Sequence, residues 1–543
     1  MLNIYDIAKK AGIDSNYIIP YGNDKAKIDL KINETLKEKK DGKLVLVTAI
    51  TPTKAGEGKT TTTIGLHDGM HKIGVQSLAC LREPSLGPVW GVKGGAVGAL
   101  KSTIVPSDDI NLHFTGDFHA LTATINLIAS VIDNHIYQGN ELNIDPDRIT
   151  WTRALDINDR ALRETTVMQG DKKGTPHRCE FTITVASELM TIFCVATDED
   201  DFIKRVNNIT CAYTYENKPV LVGDLHMGDA VRKMMHNALN PNVVQTLEEN
   251  PVLVHGGPFA NISVGVNTIN ATKLALKLSP VVITEAGFGG DLGAEKFLDI
   301  KCQLAGIKPS CIVLVATVRA LKLHGGVKFE DLEIENVEAV KAGIPNLAKH
   351  AENMASYGVP VVIALNRFPS DTDAELKAIS DWCEAEGYQW SLNHAAIDGG
   401  EGAMDLATKV SNILNEEKAN NYHPLYPIND EKFSIKDKIG LICKNIYGAD
   451  GVEYTDEALK QIEDYEKRGY KGLPVCISKT PNSLTDDAKI LGRPTGFDIH
   501  IREVRLYSGA GLIVPLSGSL LLMPGLNKYP RALDKEYLEK LGK

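Results

Sequence analysis

Short apolar runs recur along the chain, and stretches with helical periodicity separate them. Many of these runs are continuous rather than alternating, which is typical of parallel strands covered on both faces. We therefore predict an α/β fold built on a parallel sheet. The clearest strand-like runs are at 44–50, 75–81, 281–285, 311–318, 359–365 and 473–477.

The first of these runs leads into a loop that reads Gly-Glu-Gly-Lys-Thr-Thr at positions 56–61. In a phosphate-binding loop, glycines let backbone N–H groups close around phosphate oxygens, the lysine reaches the β- and γ-phosphates, and the next hydroxyl ligands Mg²⁺. The strict pattern has glycine where this chain has Thr53, and a turn without a ligand is the alternative. We expect Thr60 to ligand Mg²⁺, and we expect the phosphates of a nucleoside triphosphate at Thr53, Gly56, Glu57, Gly58, Lys59, Thr60 and Thr61.

Other predicted strands also end in groups suited to binding. Arg82 and Glu83 directly follow one strand, glycines follow Glu285, and Arg319 follows the run at 311–318. Ligands collect at the carboxyl ends of strands in open parallel sheets, so we expect these ends to form one site. The loop at 366–369 reads Asn-Arg-Phe-Pro and lacks the aspartate that guanine recognition needs. Adenine is therefore the expected base.

Composition and charge narrow the class of protein further. The chain has 543 residues, 43% of them hydrophobic and 24% charged, with a net charge of −11 and a pI near 5.8. This balance indicates a globular enzyme and argues against nucleic acid or an anionic membrane as partner. We see no apolar run of about 20 residues and no secretory signal. The nine cysteines form no C-x-x-C pair, so we predict buried reduced thiols in a cytoplasmic protein.

With these residues assembled, the chain resembles the formate–tetrahydrofolate ligases over nearly all of its length. The resemblance rests on long strings that contain the loop, the Arg82-Glu83 pair and several glycine-rich turns. The most specific strings are LVTAITPTKAGEGKTTTTIGL, LREPSLGPVWGVKGGA, DINLHFTGDFHA, VLVHGGPFANI, TEAGFGGDLGAEKFLDIKC, ATVRALKLHGG and REVRLYSGAGLIVPLSG.

The resemblance implies a P-loop NTPase-type core with two smaller α/β domains, usually assembled as a homotetramer. We place the core at 1–345, the acceptor-side domain at 346–430 and the C-terminal domain at 431–543. It also implies a reaction in which formate and ATP give formyl phosphate, which then formylates tetrahydrofolate with release of phosphate. Lys59, Arg82 and Glu83 match its catalytic positions. ATP, Mg²⁺ and a monovalent cation, K⁺ or NH₄⁺, are the implied cofactors.

The chain departs from the family where the pterin ring is expected. Phe368 and Pro369 match one side of the implied folate pocket, but Ala396 stands where the family usually has tryptophan. A further departure places Lys101 where the family has tyrosine. Trp390 and His394 lie at even spacing from position 396, so on a strand either ring could refill the gap.

Two more departures follow the GGPFANI string, where Val264 and Val266 replace a histidine and a cysteine. Three hypotheses therefore remain. The first is the family reaction with compensation elsewhere, and the second is transfer of an acyl group to a different amine. The third is a non-catalytic nucleotide-binding protein, which the retained Lys59, Thr60, Arg82 and Glu83 argue against.

Overall fold

A twelve-stranded, mostly parallel sheet forms the centre of the computed structural model. The structure describes residues 1–91, 95–170, 172–416, 420–518 and 521–540. The parallel strands are β1 (Lys43–Ala49), β2 (Leu78–Leu81), β3 (Pro251–Val254), β4 (Val281–Glu285), β5 (Pro309–Thr317), β6 (Val361–Asn366) and β7 (Gln389–Asn393). They lie side by side in the order β3-β2-β4-β1-β5-β6-β7. The predicted α/β architecture is thereby confirmed.

The central strand shows why its sequence is a continuous apolar run. Both neighbours are parallel to β1, with Val45 facing Ile283 of β4 and Cys311 of β5. Every residue of β1 after Lys43 is buried. Alternate side chains enter two different apolar clusters, one on each face of the sheet. A strand buried on both faces has no solvent side on which polar residues would be favourable.

Antiparallel strands extend the sheet beyond β3. Asn242–Thr246 pairs with β3, and Ala26–Ile28 and Ile18–Pro20 continue from it. Ser102–Val105 pairs with the other end of Asn242–Thr246 and with Gly98–Ala99.

Smaller sheets lie outside the central one. Their strands are Ile144–Ile149 with Thr210–Thr214 and Pro219–Leu221; Arg153–Ala154 with Phe181–Thr182; Thr165–Val167 with His177–Cys179; and Gly451–Tyr454 with Asp498–Tyr507 and Leu512–Ser517.

Helices cover both faces of the central sheet and pack around the smaller ones. The α-helices are Ile4–Lys10, Asn33–Leu36, Lys59–Lys72, Leu86–Trp90, Ser107–Asn111, Asp117–Tyr137, Glu188–Val195, Glu199–Asn207, Gly228–Met235, Ile269–Leu278, Cys302–Ala305, Val318–His324, Val337–Ala355, Asp373–Ala385, Ala395–Asp398, Met404–Asn415, Ile435–Ile442, Asp456–Lys467 and Lys535–Lys540. Gly290–Ala294, Phe297–Lys301 and Cys443–Tyr447 are π-helical.

Five of the six strand-like runs are strands, with ends shifted by a few residues. The run at 473–477 was predicted wrongly, because only Val475 and Ser478 form isolated bridges to the strand Leu512–Ser517. All nine cysteines are buried free thiols. Among the described helices, none combines the length and the apolar character that a membrane crossing requires.

The division into three domains stays a prediction. Strands β6 and β7 belong to the central sheet, so residues 346–430 extend the sheet of the core and do not form a sheet of their own. Residues 431–543 contain the separate three-stranded sheet that ends with Leu512–Ser517.

Candidate active site

The carboxyl edge of the parallel sheet gathers the predicted site residues in one row. In sheet order, Arg82 follows β2, Glu285 ends β4, the glycine loop follows β1, Arg319 follows β5, Phe368 follows β6 and Ala396 follows β7. The loop therefore lies in the middle of the row, with a charged side toward β2 and an aromatic side toward β6. This is the edge at which open parallel sheets bind ligands.

The loop after β1 turns at two left-handed glycines and leads directly into a helix. Gly56 and Gly58 have φ angles of 79° and 77°, in the left-handed region that favours glycine. Gly58 is the residue before the helix Lys59–Lys72, so Lys59 and Thr60 open that helix. The first N–H groups of this helix have no partner within the helix and point back toward the glycine loop. Thr53 lies outside the left-handed region, which explains why the missing glycine is tolerated there.

The buried side chain of Glu57 stabilises the loop through hydrogen bonds. Its buried carboxylate accepts a hydrogen bond from the Thr53 backbone N–H at 2.6 Å and another from the Thr317 hydroxyl at the end of β5. The Arg319 Nε lies 3.8 Å from the same carboxylate. A carboxylate held in this way supports the loop. The predicted contact of Glu57 with phosphate stays a prediction.

Asn366 ties the loop to β6. Its side-chain N–H donates to the Glu57 carbonyl at 2.8 Å, and its side-chain oxygen accepts from the Thr62 hydroxyl at 2.9 Å. Asn393 at the end of β7 donates to the same oxygen at 2.7 Å. The residue that occupies the position of a guanine-recognition asparagine is therefore engaged with the protein itself.

Glu285 is the site residue that sequence reasoning missed. The Thr60 hydroxyl donates to one Glu285 oxygen at 2.8 Å, and the Arg82 guanidinium lies 3.6 Å from the other. Glu285 is nearly buried at the end of β4, next to the strand that carries the loop. In the sequence, Glu285 is recognisable as a charged residue at the end of an apolar run. The prediction used only the glycines that follow it.

Arg82 and Glu83 point in different directions. Arg82 pairs with Glu285 rather than Glu83 and donates to the Pro258 carbonyl at 3.4 Å. The buried Arg82 Nε makes no hydrogen bond with any described group. Burial, with Asp117 and Asp156 nearby, raises the pKa of Glu83 well above its usual range, against the opposing charge of Lys27. The geometry therefore does not pair the two residues with each other, and the catalytic role of Glu83 stays a prediction. Successive residues leaving a strand face opposite sides.

The aromatic side of the loop is formed by Phe368. The Arg319 guanidinium lies over the Phe368 ring, 3.9 Å from its centroid, and also donates to the Gly56 carbonyl. Phe368 is half-buried and Pro369 is exposed. The Asp371 carboxylate accepts from the Phe368 N–H at 2.8 Å, which fixes the turn after β6. A capping box formed by Thr372 and Glu375 follows directly.

Two of the four unusual positions are hydrogen-bonded to each other. The Lys101 N–H donates to the Ala396 carbonyl at 3.0 Å, and the Ser102 hydroxyl donates to the Ala395 carbonyl at 2.7 Å. Lys101 is exposed and Ala396 is half-buried. An exposed cation and a small side chain therefore stand together at the end of β7.

The other two unusual positions border Arg82 instead. Val264 and Val266 are buried, and the Gly265 carbonyl accepts from the Gly287 N–H at 2.9 Å. A Cβ on Gly287 would stand 2.8 Å from an Arg82 nitrogen, so this turn packs against the guanidinium. The unusual residues thus lie in two separate places. One pair is at the end of β7, and the other pair belongs to the turn near Arg82.

Trp390 does not refill the gap at position 396. The strand β7 ends at Asn393 and Ala396 lies in the helix Ala395–Asp398, so the even-spacing argument was wrong. Trp390 packs instead with Trp382 and Tyr388 in an apolar cluster on the sheet.

The fold and this edge define an α/β enzyme with a glycine loop, a basic group and an aromatic group around one ligand site. Comparison with known protein families specifies this class further. The family model for formate–tetrahydrofolate ligase matches residues 1–543, the full chain. The chain belongs to this family of ATP-dependent ligases, whose substrates are formate and tetrahydrofolate in one-carbon metabolism.

The geometry of the loop generates a first prediction. Gly58→Ala places a side chain on a residue with left-handed backbone angles, which costs about 1–2 kcal/mol. The new Cβ would stand 3.0 Å from the Asn366 side-chain nitrogen that holds the Glu57 carbonyl. We expect the free energy of unfolding to fall by about that amount and ATP turnover to fall as well, as measured by denaturant titration and ADP release.

Gly74→Ala is the matched control for this variant. Gly74 has a φ of 79° and open space around its Cβ position, away from the site. It should show the same loss of stability with unchanged turnover. Equal turnover of the two variants would contradict the assignment of the loop.

Proposed function

We propose that this chain forms 10-formyltetrahydrofolate from formate, ATP and tetrahydrofolate through formyl phosphate at the carboxyl edge of the central sheet. The observation that carries the proposal is the trio of Thr60, Glu285 and Arg82 beside the glycine loop. Arg82 has a buried nitrogen without a hydrogen-bond acceptor among the described groups, as an anion site requires. The family membership supplies the substrates.

The loop is proposed to hold the nucleotide as a P-loop does. Backbone N–H groups of 56–61 and the start of the helix Lys59–Lys72 face the phosphates, where the helix dipole favours negative charge. Lys59 neutralises the β- and γ-phosphates, and Thr61 adds a hydroxyl one residue beyond Thr60. The Glu57 carboxylate accepts from Thr53 and Thr317 and thereby holds the shape of the loop.

The residues present fit a magnesium ion. The Thr60 hydroxyl and the Glu285 carboxylate meet at 2.8 Å, and both are oxygen donors of the kind Mg²⁺ prefers. Bound there with phosphate oxygens and water, the ion would offset the negative charge of the phosphates. Among the described residues there is no larger cluster of metal-binding side chains. Such a cluster is not needed, because Mg²⁺ is usually bound by one or two carboxylates together with phosphate.

In the first step, a formate oxygen attacks the γ-phosphorus of ATP, a new P–O bond forms and ADP leaves. The planar fork of Arg82 suits the two oxygens of a carboxylate and then those of the acyl phosphate. Glu83 has a raised pKa, which favours its neutral form. A neutral Glu83 does not compete with the substrate for Arg82.

In the second step, the N10 amine attacks the formyl carbon and the carbon–oxygen bond to phosphate breaks. The phosphate leaves with the oxygen that came from formate, and the proton of the amine passes to a phosphate oxygen or to water. Phosphorylation makes this possible because the oxide of formate is a poor leaving group. The chain contributes by holding both substrates in line.

The acceptor is proposed to lie between Phe368 with Pro369 and the segment at Ala396. The Arg319 guanidinium covers one face of the Phe368 ring, so we propose that the acceptor stacks on the other face. A different amine acceptor is the second candidate, because Lys101 and Ala396 replace two rings at one place. Lys101 would favour an acceptor that carries an anionic group there.

Three further features of the family are proposed for this chain. They are assembly as a homotetramer, activation by K⁺ or NH₄⁺, and the arrangement of a core, 1–345, with smaller parts at 346–430 and 431–543.

Lys59→Ala tests the nucleotide assignment. We expect ADP release to fall more than tenfold, a rise of about 1.4 kcal/mol or more in the barrier, with little change in the melting temperature. Lys54→Ala is the matched control, because Lys54 is an exposed lysine in the same loop. Turnover above about a tenth of wild type in Lys59→Ala would refute the role of Lys59.

Arg82→Lys tests the anion site. Lysine keeps the charge and loses the planar fork, so we expect a large rise in the formate KM and a fall in kcat of more than tenfold. A variant with normal formate saturation and near wild-type kcat would show that Arg82 only pairs with Glu285.

Ala396→Trp tests the acceptor. A stacked ring contributes about 1–3 kcal/mol, so the tetrahydrofolate KM should fall by about fivefold or more while kcat changes little. The measurement is ADP release with ATP, Mg²⁺ and formate over a range of tetrahydrofolate concentrations. No stimulation by saturating tetrahydrofolate in the wild type, with stimulation by another amine, would select the second candidate.

A further inference from the structure

We propose that Arg319 couples the nucleotide loop to the acceptor pocket, so that binding of nucleotide orders the Phe368 turn before the acceptor arrives. The proposal rests on the proposed function for the identity of the two ligands. Arg319 belongs to neither the phosphate-binding loop nor the acceptor pocket, and it touches both.

The position of Arg319 follows from the sheet order. Strand β5 lies between β1, which carries the loop, and β6, which carries Phe368. Arg319 is the second residue of the helix that begins directly after β5. Thr317 caps that helix by accepting from the Ala320 N–H at 3.1 Å, and its hydroxyl donates to the Glu57 carboxylate. The backbone that carries Arg319 is therefore tied to the loop at its own start.

The guanidinium uses its edge and its face for different partners. One edge donates to the Gly56 carbonyl and lies 3.8 Å from the Glu57 carboxylate. The flat face lies over the Phe368 ring at 3.9 Å. Only a planar, delocalised cation can bond in its plane and stack at the same time. Movement of the Gly56 carbonyl is thus transmitted directly to the ring.

The Phe368 turn, at 368–371, is held together by its own hydrogen bonds, so we expect it to become ordered as one unit. The Asp371 carboxylate accepts from the Phe368 N–H, and the Asp371 N–H donates to the Phe368 carbonyl at 3.0 Å. When phosphates order the loop, Arg319 is fixed and the stacked ring is fixed with it. The acceptor then meets a pocket that is already ordered, so it loses less conformational freedom on binding. Nucleotide and acceptor should bind with positive coupling.

Amide hydrogen exchange on the full chain tests this without knowledge of the acceptor. The probe is a non-hydrolysable ATP analogue with Mg²⁺, and the reporters are the amides of Phe368 and Asp371 compared with those of 53–61. In the wild type we expect the analogue to slow exchange at both places, by about fivefold or more at the Phe368 turn. In Arg319→Lys and Arg319→Gln, protection should persist at 53–61 and be lost at Phe368 and Asp371.

Arg367→Lys is the matched control. Arg367 directly precedes Phe368 and is half-exposed, and its guanidinium lies 3.1 Å from the Asp373 carboxylate. It should keep the wild-type pattern. In the two Arg319 variants, the tetrahydrofolate KM at saturating ATP should rise, while the affinity for the ATP analogue measured without tetrahydrofolate should change little, which loss of a loop support alone would not produce.

Four results would overturn the proposal. The first is a Phe368 turn that stays unprotected in the wild type while 53–61 is protected, and the second is a turn that stays protected in Arg319→Lys. The third is loss of protection at 53–61 as well in that variant, which would make Arg319 a support of the loop only. If the analogue protects neither place in the wild type, the nucleotide site itself is wrong and the coupling falls with it.

Discussion

The candidate site depends on one buried carboxylate. Glu57 accepts from the Thr53 backbone and from the Thr317 hydroxyl, and its own carbonyl accepts from Asn366. These three bonds join the glycine loop to itself, to β5 and to β6. A buried carboxylate is costly unless such donors satisfy it, so the loop and the two strand ends are held in one arrangement. The left-handed glycines at 56 and 58 make that arrangement accessible to the backbone.

The strand order then separates the two kinds of chemistry. On the β4 and β2 side of the loop lie Glu285 and Arg82, which suit a metal ion and small anions. On the β6 side lies Phe368, which suits a ring. The proposed reaction needs this separation, because the carboxylate must reach the phosphate before the amine reaches the carbon. The same order explains why one arginine, Arg319, can contact the loop and the ring together.

Much of the fold could be predicted from the sequence, because a strand buried on both faces must be apolar throughout and β1 is a clear case. The glycine loop was also predictable, since its spacing reflects backbone geometry. The roles of Glu285 and Arg319 could be assigned only from the strand order. This order brings the two residues to the glycine loop, although both are more than two hundred positions from it in the sequence. Trp390 was misread because the strand ends at Asn393, a boundary that periodicity alone does not define.

The central claim is that this edge activates formate with ATP. The most direct measurement uses formate labelled with ¹⁸O at both oxygens, together with ATP and Mg²⁺, with tetrahydrofolate present or absent, and follows the phosphate by ³¹P NMR. Our account predicts that released phosphate carries one ¹⁸O, because the oxygen that attacks the γ-phosphorus leaves with it. ADP release with unlabelled phosphate would mean that water is the nucleophile, and the account would be contradicted.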